Sequence, residues 1–137
     1  MSRGYTWEKQ PKLPIKLILV DDYEIIRIGL GRLLQAQPDI EVVAEANSEA
    51  KAVTLSQNHH PDVILVDVKM SGMNEIEVVH YLKADCPSVA VVALIIQGDE
   101  KGYFLPLLVA GVSCLIPKQA TLDDLFQAIR TVIQGDF

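Results

Sequence analysis

Apolar residues along the chain fall into two alternating patterns. Short runs rich in β-branched side chains, Lys16 to Val20, Ile40 to Glu45, Val63 to Val66, Val89 to Ile96 and Val112 to Ile116, have the length and composition of strands. Between them apolar positions recur three and four apart: Ile25, Ile26, Leu30, Leu33 and Leu34, then Ile76, Val79 and Leu82, and later Leu122, Leu125, Phe126, Ile129 and Val132. That spacing gives each helix one stripe to bury. A strand and a helix therefore alternate five times. Runs such as Ile64-Leu65-Val66 lack the alternation of a sheet with one wet face, so helices are expected on both faces of a parallel, doubly wound α/β sheet. Such sheets place their functional residues in the crevice at the carboxyl ends of the strands.

No internal repeat, low-complexity tract or Gly/Ser-rich linker divides the chain, and the last helix is expected over Ala120 to Gln134. We read one domain, residues 15–137, behind an N-terminal extension, residues 1–14. The extension holds Tyr5, Trp7, Pro11 and Pro14 and reads as a loosely ordered arm without a function. It has no apolar stretch of the signal-peptide kind, and no run in the chain is long enough to span a bilayer, so a soluble cytoplasmic protein is expected.

Composition narrows the function classes. Half of the 137 residues are apolar, enough to bury a core without disulfides or a structural metal. Twelve Lys and Arg against 18 Asp and Glu leave a net charge of −6, and no basic cluster offers itself to phosphates, which argues against direct nucleic-acid binding by this segment. Cys86 and Cys114 lack CxxC spacing and read as small thiols in a reducing compartment. His59, His60 and His80 read as solvated side chains with no assigned role.

Candidate chemistry sits at the strand ends. The first strand ends in Asp21-Asp22, the third in Asp67, and Lys118 follows the fifth. Taken singly these are weak signals, since an Asp at a strand-to-helix junction often caps the helix, as Asp22 could, and a Lys is usually solvated. Together they bring three carboxylates and an ammonium to one sheet edge. Carboxylates so crowded raise one another's pKa unless a cation compensates, and hard oxygen donors suit Mg²⁺. A carboxylate beside such an ion can act as a nucleophile toward a phosphoryl group while a lysine neutralises the transferring oxygens.

From Ile15 to Ile133 the sequence resembles the response-regulator receiver family of two-component signalling. Val20-Asp21-Asp22 followed by Arg27-x-Gly29-Leu30 is similar to the opening of receivers from the LuxR-type branch. Asp67-x-x-Met70-x-x-Met73-Asn74 resembles the phosphoacceptor loop, and Gly111-Val112-Ser113 leading to Lys118 resembles the last strand. The resemblance implies a flavodoxin-like (βα)5 fold with strand order 2-1-3-4-5. It also implies that Asp67 accepts a phosphoryl group from a histidine kinase and that Asp21, Asp22, Asp67 and the Lys69 carbonyl hold Mg²⁺. Lys118 would contact the phosphoryl group. Transcription control through a helix-turn-helix output domain in a longer parent is implied as well, with no enzymatic turnover in the ordinary sense.

The departures from the family pattern concern the switch. Ile95 stands where a Thr or Ser normally binds a phosphoryl oxygen, and Leu115 stands where an aromatic side chain normally follows that movement. Ser71 replaces a usual Pro and Glu75 a usual Gly, and the order Pro117-Lys118-Gln119 differs from the common Lys-Pro. The uncharged stretch from Tyr103 to Ala110, with Pro106 inside it, predicts a short or kinked helix. Tyr103, Phe104, Leu107 and Leu108 are candidates for a homodimer or partner surface. The alternative function is a receiver-like interaction module that no longer switches by phosphorylation. A flavin protein of the same topology is disfavoured, because Asp21-Asp22 would repel the phosphate its first loop must hold.

Overall fold

The computed structural model describes residues 14–67, 75–95 and 100–134, with side chains at all of these except 75 and 100–104. Residues 1–13, all of the expected arm but Pro14, lie outside the described residues. Ten elements alternate in chain order. They are β1 (Ile15–Val20), α1 (Glu24–Gln35), β2 (Ile40–Ala46), α2 (Glu49–His59), β3 (Val63–Asp67), α3 (Glu75–Asp85), β4 (Ala90–Ile95), α4 (Glu100–Ala110), β5 (Cys114–Pro117) and α5 (Leu122–Gln134). All strands are parallel, in the order β2-β1-β3-β4-β5. The order reverses between β1 and β3, so the crevice expected of a doubly wound sheet opens above those two strands.

Two apolar layers flank the sheet. On one face Leu34 of α1 and Leu125, Phe126, Ile129 and Val132 of α5 pack on Leu17, Leu19 and Leu65. On the other, Ala52 of α2, Val79 and Leu82 of α3 and Leu107 of α4 pack on Ile18, Ile64 and Val91. β3 is buried along its whole length, which accounts for its lack of alternation.

Local chemistry sets the element ends. Ser48 caps α2 by accepting the Lys51 N–H at 3.3 Å. Thr121 and Asp124 cap α5 reciprocally, each side chain accepting the other's backbone N–H. The last helix therefore starts at Leu122, two residues after its expected start. β5 likewise begins two residues later than expected, because Gly111 and Val112 close α4. Gly111 takes φ +119°, its N–H donates to Leu108 O, and the Val112 N–H donates back to Leu107 O. Pro106 lies inside α4, an 11-residue helix, so of the short or kinked helix expected the short alternative does not hold.

One register irregularity has consequences at the site. β1 and β2 pair Leu17 with Val42 but Ile18 with Ala44, so Val43 is an extra residue in β2. Val42 consequently packs with the α1 layer and Ala44 with the opposite one. The phase of β2 is inverted from that point, and Glu45 returns to the face covered by α1.

Candidate functional site

Three strand ends meet at the crevice. Asp67 is the last residue of β3 and pairs with Leu94 of β4; it is 4 % exposed. Asp21 follows β1, is 2 % exposed, and donates its backbone N–H to Ala46 O at the end of β2. Its Oδ1 accepts the Tyr23 N–H at 2.8 Å, a turn that fixes the carboxylate where the chain enters α1. Tyr23 is itself the N-cap position of α1, without a side-chain capping bond, and Asp22 just before it is exposed. Lys118, just past β5, reaches back so that Nζ lies 2.5 Å from Asp67 Oδ1. Its backbone N–H donates to Ile95 O at 2.7 Å, which ties the lysine to the end of β4.

This arrangement strains the charge state of Asp67. Burial pushes its pKa up from the usual 3.8 to about 7; the Lys118 ammonium opposes the rise, and the neighbouring Asp21 carboxylate adds to it. Two buried carboxylates thus stand side by side, with the Lys118 ammonium against Asp67. Among the described residues no three His, Cys, Asp or Glu side chains close on one point. The buried pair offers the hard oxygen donors that Mg²⁺ prefers.

A groove of about 350 Å³ leads to the pair. Asp21, Asp67 and Lys118 form its floor and Ile25, Ile26 and Leu33 of α1 one wall. These three isoleucine and leucine side chains were expected to bury against the sheet. Ile25 is 88 % exposed, and Ile26 and Leu33 are exposed by about half, while α1 buries only Gly31 and Leu34. The stripe read from the sequence is really two: one packs on β1 and the other faces the groove. Sequence reasoning also gave no role to Arg27 beyond its place in a motif, although its guanidinium reaches the Asp21 carbonyl and Glu45. The signal was present in Glu45, one of two acids, with Glu41, in a strand whose other residues are apolar.

The other candidates divide. Ile95 and Leu115 sit where the sequence placed them, Ile95 buried at the end of β4 and Leu115 half-buried against the α3–α4 layer. Leu107 is fully buried among the core residues, which corrects its assignment to a surface; Leu108 is exposed, together with Leu105 and Val109. Lys69, Ser71 and the side chains of Glu75, Tyr103 and Phe104 lie outside the described residues. Cys86 and Cys114 are unpaired and half-buried. Among the described residues no helix is long and apolar enough to cross a membrane.

Comparison with known proteins decides the family. The model of the response regulator receiver domain matches residues 17–130. The chain belongs to that family. It is 36% identical over 121 residues to the transcriptional regulatory protein DegU of Brevibacillus brevis, covering 88% of this chain and 51% of that protein. It is also 36% identical over 124 residues to LiaR of Bacillus subtilis (strain 168), covering 89% and 57%. The chain thus spans little more than half the length of these curated relatives. Among solved structures, a LuxR family two-component response regulator from Aurantimonas sp. SI85-9A1 superposes with a TM-score of 0.80 at 28% identity, over 88% of this chain and 85% of that one. The receiver domain of the putative response regulator NarL from Mycobacterium tuberculosis gives 0.79 at 26% identity, over 90% and 99%. The receiver is of the LuxR-type branch, and its fold is the flavodoxin-like five-stranded one.

Proposed function

We propose that this receiver takes a phosphoryl group on Asp67 from a histidine kinase. The observation that carries the reading is the buried Asp67 carboxylate, 2.5 Å from the Lys118 ammonium and beside Asp21, at the floor of an open groove. In the transfer an Asp67 oxygen bonds to phosphorus as the P–N bond of the phosphohistidine breaks, and the imidazole nitrogen leaves with the electron pair. Asp67 must be ionised to attack, yet its environment holds the proton to about pH 7. A cation at the site favours the ionised form. Asp21, Asp22, Asp67 and the Lys69 carbonyl would hold Mg²⁺, which supplies charge neutralisation at the phosphoryl oxygens. Lys118 adds a positive charge from the opposite side and Asp21 keeps its carboxylate oriented through the Tyr23 N–H.

The donor reaches Asp67 through the groove walled by α1. Output follows from conformation or from pairing of two copies, with Leu105, Leu108 and Val109 of α4 as the exposed apolar surface for a homodimer. We place the protein in the cytoplasm, as a signalling protein rather than an enzyme with turnover, and in transcription control, in keeping with the names its relatives carry.

Intact mass after incubation with Mg²⁺ and acetyl phosphate tests the proposal. One added phosphoryl mass in the parent, absent in Asp67→Asn, is expected; a folded parent that takes no label from several donors, with or without Mg²⁺, would overturn it.

A further inference from the structure

The end of β1 is held by a tie that the phosphoryl chemistry does not itself require. Arg27, on the first turn of α1, donates from Nη1 to the Asp21 carbonyl at 3.0 Å and from Nε to Glu45 Oε1 at 3.2 Å. Its side chain is 15% exposed and that of Glu45 34%. We propose that Arg27, braced by Glu45, is a positioning residue that holds the Asp21-Asp22 peptide in the orientation that binds Mg²⁺. The inference rests on the metal-binding reading above and goes further, to a residue outside the ligand set.

Three features of the chain converge on this tie. The Asp21 carbonyl belongs to the planar peptide joining the two acids, so fixing it fixes the relation of Asp21 to Asp22. The extra residue in β2 returns Glu45 to the α1 face, within reach of the guanidinium. In a regular strand Val42 and Ala44 would share a face, and Glu45 would point to the layer of α2. The third feature is Gly31. It is buried in the middle of α1, where glycine is a poor helix former, and a Cβ there would lie 2.6 Å from Glu45 Oε2. The missing side chain leaves the space in which the Glu45 carboxylate rests.

Charge alone makes the opposite prediction. Arg27 is a cation at the edge of an acidic site, so by Coulomb's law its removal should tighten Mg²⁺ binding. Positioning predicts that removal weakens it. Partners that orient metal ligands from outside the coordination sphere are worth roughly tenfold or more in metal affinity.

The experiment is Mg²⁺ titration of the full chain, metal-free at the start, by calorimetry and by amide NMR shifts at Asp21, Asp22 and Tyr23. Parent, R27Q and G31A are compared, with the Tm of each metal-free protein. R27Q is expected to bind roughly tenfold more weakly. G31A is expected to bind more weakly as well while its metal-free Tm stays level with the parent or rises, since alanine favours the helix and displaces only Glu45. A simple loss of stability would not separate these two readouts. R27Q that binds Mg²⁺ as tightly as the parent, or more tightly, overturns the inference. Should R27Q fail to fold, unchanged affinity in G31A overturns it instead. A folded parent that does not bind Mg²⁺ overturns the proposed function and this inference together.

Discussion

Replacing Asp67 by Asn removes a carboxylate whose charged form its burial disfavours. In the native state the Asp67 carboxyl holds its proton up to about pH 7, against 3.8 for an ordinary aspartate, because it is buried and stands beside Asp21. A group whose native pKa is raised supports the fold fully below its unfolded value, and that support is lost as pH rises through the native one. The rise from 3.8 to about 7 corresponds to about 4 kcal/mol as a ceiling, at about 1.4 kcal/mol for each tenfold change in proton affinity. Asn has the same shape and no charge. Lys118 loses its partner in the variant, but its side chain is 32% exposed and rehydrates. In chelator-treated buffer the variant should therefore exceed the parent by about 2 to 4 kcal/mol at pH 8 and by much less at pH 5. Urea denaturation followed by circular dichroism at the two pH values measures the difference directly. Mg²⁺ at a hundred times its Kd should return about 2.7 kcal/mol to the parent and far less to the variant. A stability difference that is the same at pH 5 and pH 8, or a parent that is the more stable at pH 8 without metal, refutes the electrostatic account of the site.

Other perturbations probe separate parts of the molecule. Arg130 clamps Asp39 through two hydrogen bonds of 2.7 and 2.9 Å and holds its carboxyl below the usual range. Arg130→Gln should cost about 1 kcal/mol at neutral pH. That difference should shrink as pH falls below the ordinary pKa of Asp39 toward its lowered native one, which denaturation at pH 7 and pH 3 will show. Gly111→Ala should lower stability by about 1 to 3 kcal/mol, since φ is +119° and the new Cβ would lie 2.8 Å from Lys83 Cγ; a Tm unchanged within a degree refutes the cap. Ile95→Thr should cost roughly 1 to 3 kcal/mol in the buried β4 end. It should also enlarge the change in α4 amide exchange on phosphorylation, and equal exchange in both proteins counts against the switch argument. Leu105→Ser with Leu108→Ser should keep the phosphorylated protein monomeric by light scattering if the parent pairs through α4, and pairing that persists moves the dimer surface elsewhere.

The fold was legible because β3 and its neighbours are buried on both faces, which removes alternation and leaves one topology class. The three strand-end positions were legible because a parallel sheet delivers each strand's last residue to the same edge. What sequence could not reveal depends on phase. The apolar positions of α1 satisfy a helical stripe, yet Ile25, Ile26 and Leu33 line the groove while Leu34 packs on the sheet; periodicity counts apolar residues without saying which surface receives them. The role of Glu45 depends on the extra residue at Val43, and nothing local in Glu41-Val42-Val43-Ala44-Glu45 marks where the pairing shifts. Leu107 and Leu108 are adjacent and chemically alike, and only their angle about α4 separates a core residue from a surface one.

If Asp67 takes the phosphoryl group as proposed, Ile95 and Leu115 bear on what that group would move. Ile95 offers no hydroxyl to its oxygens, and Leu115 packs half-buried against the α3–α4 layer without a ring to swing. The link between the two strands persists in the backbone: Lys118 N–H donates to Ile95 O at 2.7 Å, and Pro117 pairs with Ile95 in the sheet. A phosphoryl group drawing Lys118 inward would therefore pull on the end of β4 through this hydrogen bond, not through a side-chain rotation. Such a movement is confined to the strand ends and to the α1–α5 side, where Lys118 shares the groove with Ile25, Ile26 and Leu122. Phosphorylation should accordingly alter amide exchange most at Ile95, Lys118 and the first turn of α5, with a smaller response in α4. A dominant response in α4 would show that the missing hydroxyl and ring are not what transmits the signal.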